Sequence, residues 1–561
     1  MIPIRNSCKI CVTIFTEALD MKNIYINGVV FTGDENFKSA FAVENDRFLF
    51  VGTDSEALLL KENGDTITDL NGTFVMPGFI DSHMHVINYG SAMEMCDLTC
   101  ATGSVDELVK ALTDFLNTNR IPKGEWVRGR GWNQDLFKGE KTIPTRYDLD
   151  RISTVHPISI TRCCGHCLIV NSKALEMLNI TRDTPQLFGG HFDTDENGEP
   201  NGIFRDAAMD IIQENFPVPK KDDFKRMILK SIRKLNAYGV TSAHTDDLCV
   251  FDGADYEDVI KAYKELEQEG KLTVRIYEQS QFTKPGPLKE FLNKGYNTGV
   301  GTDNFKIGPL KLLGDGSLGA RTAYLSKEYS DAPGEKGLAL FTQEEFDEMI
   351  STAHQAGMQV AVHAIGDGIL DNILSAYEKA FASAPLRDHR SGIVHVQLTR
   401  NDQLEKMKRL NMHAYAQTIF IDYDSHIVCD RVGDELAGSS YAFHSMKEMG
   451  IHVSNGTDCP VENPNPMRGI QCAVTRRPLA EDLEAYRPEE KMSLTEALAS
   501  YTQEGAYASF EENRKGRIEK GYLADFVILS ENPFDVPENR ISRIKVMKTY
   551  LSGECVYEYQ Q

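Results

Sequence analysis

His83 and His85 stand two residues apart at the end of an apolar run, Phe79-Ile80-Asp81-Ser82-His83-Met84-His85. In an extended chain, side chains two apart fall on the same side, so both imidazoles can reach one cation. Taken alone, the pair also reads as surface or hydrogen-bonded histidines, and the remaining ligands decide. His363 ends the run Gln359–His363, His395 ends Gly392–His395, and Asp458 ends His452–Asp458. Lys311 lies within the apolar run Ile307–Leu313, where a free ammonium is costly. Neutral imidazole and carboxylate oxygen suit zinc and similar divalent ions. Five separate runs thus each deliver a metal-competent residue at or near the carboxyl end.

These runs belong to a longer series. Short β-branched stretches alternate with helical ones, the pattern of parallel βα units. Eight candidate strands run Gly78–His83, Gly239–His244, Thr273–Glu278, Phe305–Leu313, Gln359–His363, Gly392–His395, His413–Gln417 and His452–Asp458. Between them, Asp222–Tyr238 places Phe224, Met227, Ile228, Ile232 and Leu235 at helical spacing. Eight such units predict an α/β (β/α)8 TIM barrel, which carries its chemistry at the carboxyl ends of the strands. The gap after the first strand is too long for one crossover, so an inserted subdomain is expected over about 95–225, covering one side of the barrel mouth. Residues 21–76 read as short strands and turns, and Gly516–Leu529 and Ile544–Val556 have the same character. A β-sandwich built from both termini follows, with halves at 21–76 and 510–561 and the barrel at 77–505. Residues 1–20 are expected to be an extension outside the fold.

Composition narrows the function. A net charge of −23 argues against nucleic acid and anionic membrane surfaces as partners. No run of eighteen apolar residues suggests a membrane span. The twelve cysteines are scattered, with C-x-x-C pairs at Cys8/Cys11 and Cys164/Cys167 that share no regular spacing. Without a recognisable secretory signal, reduced thiols in the cytoplasm are the expectation.

In combination, five motifs resemble those of the amidohydrolase superfamily, in the branch of amidohydrolase family 3 that includes N-substituted formamide deformylase-like proteins. They are Met-Pro-Gly-Phe-Ile-Asp-Ser-His-Met-His at 76–85, Lys-Leu-Leu-Gly-Asp-Gly-Ser-Leu-Gly at 311–319 and His-Ala-Ile-Gly-Asp at 363–367, with Gly-Thr-Asp-Cys-Pro-Val at 456–461 and Gly-Tyr-Leu-Ala-Asp-Phe-Val at 521–527. The resemblance covers 21–561. It implies that His83, His85 and Asp458 bind a buried metal and that His363 and His395 bind an outer one. Lys311, as a carbamate, would bridge two zinc ions, and Asp458 would shuttle the proton. The implied activity is hydrolysis of a carbon–nitrogen bond other than a peptide bond, in a linear amide or N-substituted formamide. An ester or lactone hydrolase on the same site is the alternative, and a metal-free scaffold protein is a third reading.

Substrate selection is expected from the insert and the loops. Trp132 follows a glycine pair, which fits either a pocket wall or the core of the insert. Arg162 and His166 sit in Arg-Cys-Cys-Gly-His, where relatives commonly show Arg-x-Asp-Gly-His; Cys164 takes the aspartate position. Asp315 and Arg321, just after the Lys311 strand, either face the pocket or order its loop. His244, Gln397 and Gln417 end strands as well, and His244 reads better as a supporting residue. Cys459 reads as packing rather than as a nucleophile. The partner is expected to be a small molecule, and a homodimer is compatible with such a chain.

Overall fold

The computed structural model describes residues 21–163, 166–186, 190–384, 388–480 and 483–560. The expected extension at 1–20, the Cys8/Cys11 pair and Cys164 lie outside the described residues.

Eight parallel strands form the central sheet, in chain order Phe79–Met84, Val240–Thr245, Arg275–Gln281, Phe305–Leu313, Val360–Ala364, Gly392–His395, His413–Ala416 and Val453–Asn455. Each pairs in parallel with the next, so the sheet curls into a nearly closed (β/α)8 barrel. All eight strands stand where the sequence predicts them. The seam between the last and first strands closes just beyond their ends. The Asp458 N–H donates to the His83 carbonyl at 2.8 Å, and the His85 N–H to the Cys459 carbonyl at 2.8 Å. Helices cover the outside with their apolar stripes. Lys221–Ala237 is capped where the Asp223 carboxylate accepts the Lys220 N–H, and it buries Phe224, Met227, Ile228, Ile232 and Leu235. Ser231 adds a hydroxyl donated to the Val86 carbonyl at 2.6 Å, fixing this helix to the exit of the first barrel strand.

Between the first and second barrel strands the chain builds a six-stranded sheet of its own, in the order 190–194, 200–206, 167–170, 158–162, 127–132 and 96–97. Leu108, Leu112, Leu149 and Ile160 make its core, and Trp132 is among them.

Two further sheets face each other outside the barrel. One holds 47–52, 40–44, 22–26 and 66–69; the other joins 29–30 and 74–77 to 526–529, 546–551 and 554–558. The strand Phe74–Pro77 pairs antiparallel with Phe526–Leu529, so the second sheet draws on both ends of the chain. Between the sheets, Tyr25 stacks on Phe41 with centroids 4.6 Å apart, and Phe41 meets Phe526 edge-on at 5.0 Å. Among the described residues no helix is long and apolar enough to cross a membrane.

Candidate metal centre

The strand ends bring the titratable side chains together. The first barrel strand carries His83, 1% exposed, and His85 follows it; Asp458 arrives from the loop after the last strand. The Asp458 Oδ1 lies 3.1 Å from His85 Nε2 and 3.4 Å from His83 Nε2. Donor atoms of these three residues all lie within 4.8 Å of one another. Local architecture makes this convergence tight. The Asp81 carboxylate accepts the Thr457 hydroxyl at 2.5 Å and the main-chain N–H groups of Thr457 and His83, pinning the two strand ends side by side. Gly456 is required there, because a Cβ would stand 2.5 Å from the His83 nitrogen. Asp458 and His395 both hold φ above +50°, conformations that L residues reach only when their surroundings enforce them.

The other members close the group. The His395 ring lies 5.5 Å from that of His83 and 4.4 Å from that of His363, centroid to centroid. Lys311 Nζ, on the fourth barrel strand, is 3.3 Å from His83 Nε2. All six residues expected from the sequence therefore come close to one another at the carboxyl ends of the barrel strands.

Each imidazole has one nitrogen held by a protein oxygen. The Gln279 Oε1 lies 2.8 Å from His83 Nδ1, the Asp246 carbonyl 3.1 Å from His85 Nδ1, and the Gln417 Oε1 2.8 Å from His395 Nδ1. His363 is held at Nε2 instead, by the Gly316 carbonyl at 3.1 Å. Oxygen partners of this kind fix which nitrogen carries the proton and leave the other to face a cation. His83, His85 and His395 thus present Nε2, and His363 presents Nδ1. This donor set fits a divalent cation such as zinc.

Electrostatics agree with that fit. Burial, with Lys311 adding to it, lowers His83 to about 4, so it stays neutral. Burial likewise holds His395 well below its ordinary value. His85 behaves oppositely: burial would lower it, but the Asp458 carboxylate holds it up to about 9. Asp458 itself lies well below the usual carboxylate range, because its contacts with His83 and His85 outweigh burial. A cation entering here must therefore expel a proton from His85, which makes uptake stronger as pH rises. Burial lowers the pKa of Lys311.

The residues expected to select the substrate stand elsewhere or do other work. Trp132 is 0% exposed in the core of the insert, its indole N–H turned to the Ile160 carbonyl, which corrects the expectation of a pocket wall. Its size makes it the natural centre of that small core. Arg162 donates to Asn133, Gln134 and Asp135 of the insert. His166 is exposed and bonds Asp206. Asp315 is 2% exposed and accepts the main-chain N–H groups of Tyr324, Ile365 and Gly366, so it orders the loop and flanks His363 at 3.2 Å rather than lining a pocket. Arg321 pairs with Asp331 at 2.8 Å. His244 is fully buried against Tyr277. The sequence singled out neither Gln279 nor Asp246: Asp246 follows directly on the second barrel strand, whereas Gln279 lies inside the third, where no such signal marks it.

Comparison with known proteins supplies the family. A model described as "Amidohydrolase family" matches residues 66–557. The chain is 32% identical over 552 residues to a putative amidohydrolase, YtcJ, of Bacillus subtilis, covering 96% of this chain and 100% of that protein. It is 24% identical to the N-substituted formamide deformylase of Arthrobacter pascens, covering 97% and 99% of the two chains. The crystal structure of a metal-dependent hydrolase from Pyrococcus furiosus superposes with a TM-score of 0.76 at 32% identity, over 92% of this chain and 100% of that one. The chain belongs to the amidohydrolase family.

Proposed function

We propose that this protein is a metal-dependent amidohydrolase that cleaves a carbon–nitrogen bond other than a peptide bond, in a linear amide or N-substituted formamide. One observation carries the reading: His83, His85 and Asp458 converge at the barrel mouth, with Lys311, His363 and His395 beside them. The likeness to a formamide deformylase supports the substrate class. The four histidines and Asp458 would hold divalent cations such as zinc, with Lys311 beside them. When bound, such cations supply the Lewis acidity that polarises a carbonyl and makes water nucleophilic near neutral pH.

The chain's own residues do the rest. Asp458, kept as a carboxylate, takes the proton of the attacking water and returns it to the leaving nitrogen. His83 and His395, kept neutral by burial, hold their lone pairs toward the site. Gln279 and Gln417 keep those rings from turning. The test is a panel of N-substituted formamides, linear amides, esters and lactones, scored separately for amine release and for acid release. Amine release that falls about 100-fold or more in Asp458→Asn, with that variant still folded, is the expected outcome. Turnover confined to the esters and lactones would replace the reading by the ester-hydrolase one.

A further inference from the structure

The second barrel strand, Val240–Thr245, runs directly into Asp246. This residue is 2% exposed, and neither carboxylate oxygen has a hydrogen-bond partner among the described residues. Its backbone is locked onto the metal-ligating segment: the N–H donates to the Met84 carbonyl at 3.1 Å, and the carbonyl holds His85 Nδ1 at 3.1 Å. Its side chain turns toward Lys311, with Oδ2 3.6 Å from Nζ, an ion pair too long for a hydrogen bond. Lys311 Nζ in turn is 3.3 Å from His83 Nε2.

The neighbouring buried aspartates are satisfied. Asp81 accepts three donors from His83 and Thr457, and Asp315 accepts three main-chain N–H groups. Asp247, the next residue, accepts from Ile87, Thr245 and Tyr263. Against them Asp246 is the exception. A buried carboxylate that accepts no hydrogen bond is costly; the Lys311 ammonium is the one charge paired with it among the described residues, and its oxygens sit beside the metal-ligating histidines.

We propose that Asp246 is itself a ligand of the metal centre, supplying the carboxylate on the Lys311 side. The cations are then held there by a carboxylate encoded in the chain, with no addition of carbon dioxide to Lys311. This rests on the metal-dependent reading of the site. Carboxylate oxygen is a proper ligand for zinc and its neighbours. A carbamate on Nζ would instead replace the ammonium that faces Asp246 by a second anion.

The experiment strips the full-length protein with a chelator in buffer freed of carbon dioxide. Zinc chloride is then returned with and without bicarbonate, and metal per chain is counted for the parent and for Asp246→Asn. The parent should load equally in both buffers. Asp246→Asn should lose about half of its metal while keeping the parent's circular dichroism and melting curve. Incubation with 13C-bicarbonate should give the parent no carbamate carbonyl resonance. Loading of the parent that requires bicarbonate would overturn the proposal while leaving the hydrolase reading in place. Failure to load in either buffer would overturn both. Should Asp246→Asn fail to fold, the parent's response to bicarbonate still decides.

Discussion

Gln417→Leu tests how the site prepares its ligands. The Gln417 Oε1 accepts from His395 Nδ1 at 2.8 Å, which keeps the proton on that nitrogen and leaves Nε2 open. The residue is buried, and its own Nε2 has no hydrogen-bond partner among the described residues. Leucine of similar length therefore removes an amide that satisfied nothing on its nitrogen side. What it strands is the His395 Nδ1–H. The ring escapes that penalty by moving its proton to Nε2, the nitrogen a cation needs. Loss of such an outer partner weakens metal binding by about 10–100-fold, or roughly 1.4–2.7 kcal/mol at 1.36 kcal/mol per decade. Folding stability should change by only about 1 kcal/mol, because the orphaned amide disappears with the lost bond. Competition with a chromophoric zinc chelator measures the affinity, and 15N spectra of the imidazole report the tautomer. Affinity within about twofold of the parent, with the tautomer moved to Nε2–H, would refute the reasoning.

Two other predictions concern what holds the scaffold. Asp525 and Arg275 form a buried two-bond pair, Nε to Oδ2 at 2.7 Å and Nη2 to Oδ1 at 2.9 Å, that ties the third barrel strand to the C-terminal sandwich strands. Asp525→Ala leaves that guanidinium uncompensated, so urea titration should show a loss of about 3–5 kcal/mol; a loss below about 1 kcal/mol would mean that solvent reaches Arg275. Glu511 is buried between Lys306 and Lys515, and those charges outweigh burial to hold its carboxyl far below the ordinary 4.5. A depressed pKa contributes stability above 4.5 that is lost as pH falls through the folded value, so Glu511→Gln should flatten the decline of melting temperature below pH 4.5. An acid limb as steep as the parent's would assign that decline to other carboxylates.

The barrel was legible because its strands are short apolar runs, most of which carry a polar or titratable residue at or near the carboxyl end. His83, Lys311, His363, His395 and Asp458 could each be located in this way. What surrounds them could not. Gln279 sits inside a strand beside other polar residues, and only the closed barrel turns it toward His83. Asp246 and Asp247 are adjacent acids of the same type. Among the described residues the fold gives three hydrogen-bond donors to Asp247 and none to the side chain of Asp246, which has only its ion pair with Lys311, a difference that no spacing encodes. Trp132 defied its glycine neighbours because its burial depends on Leu108, Leu112 and Leu149, which reach it only through the packing of the insert. Arg162 finds its partners at Asn133, Gln134 and Asp135, roughly thirty residues upstream and across a strand pair.

The most direct test of the metal centre is an anomalous difference map, recorded at the zinc edge from crystals of the reconstituted protein. The account predicts density at the barrel mouth, about 2.0–2.2 Å from Nε2 of His83 and His85 and from a carboxylate oxygen of Asp458. A map in which zinc seats only at the surface group His444, Glu448 and Glu496, with none at the barrel mouth, would contradict it.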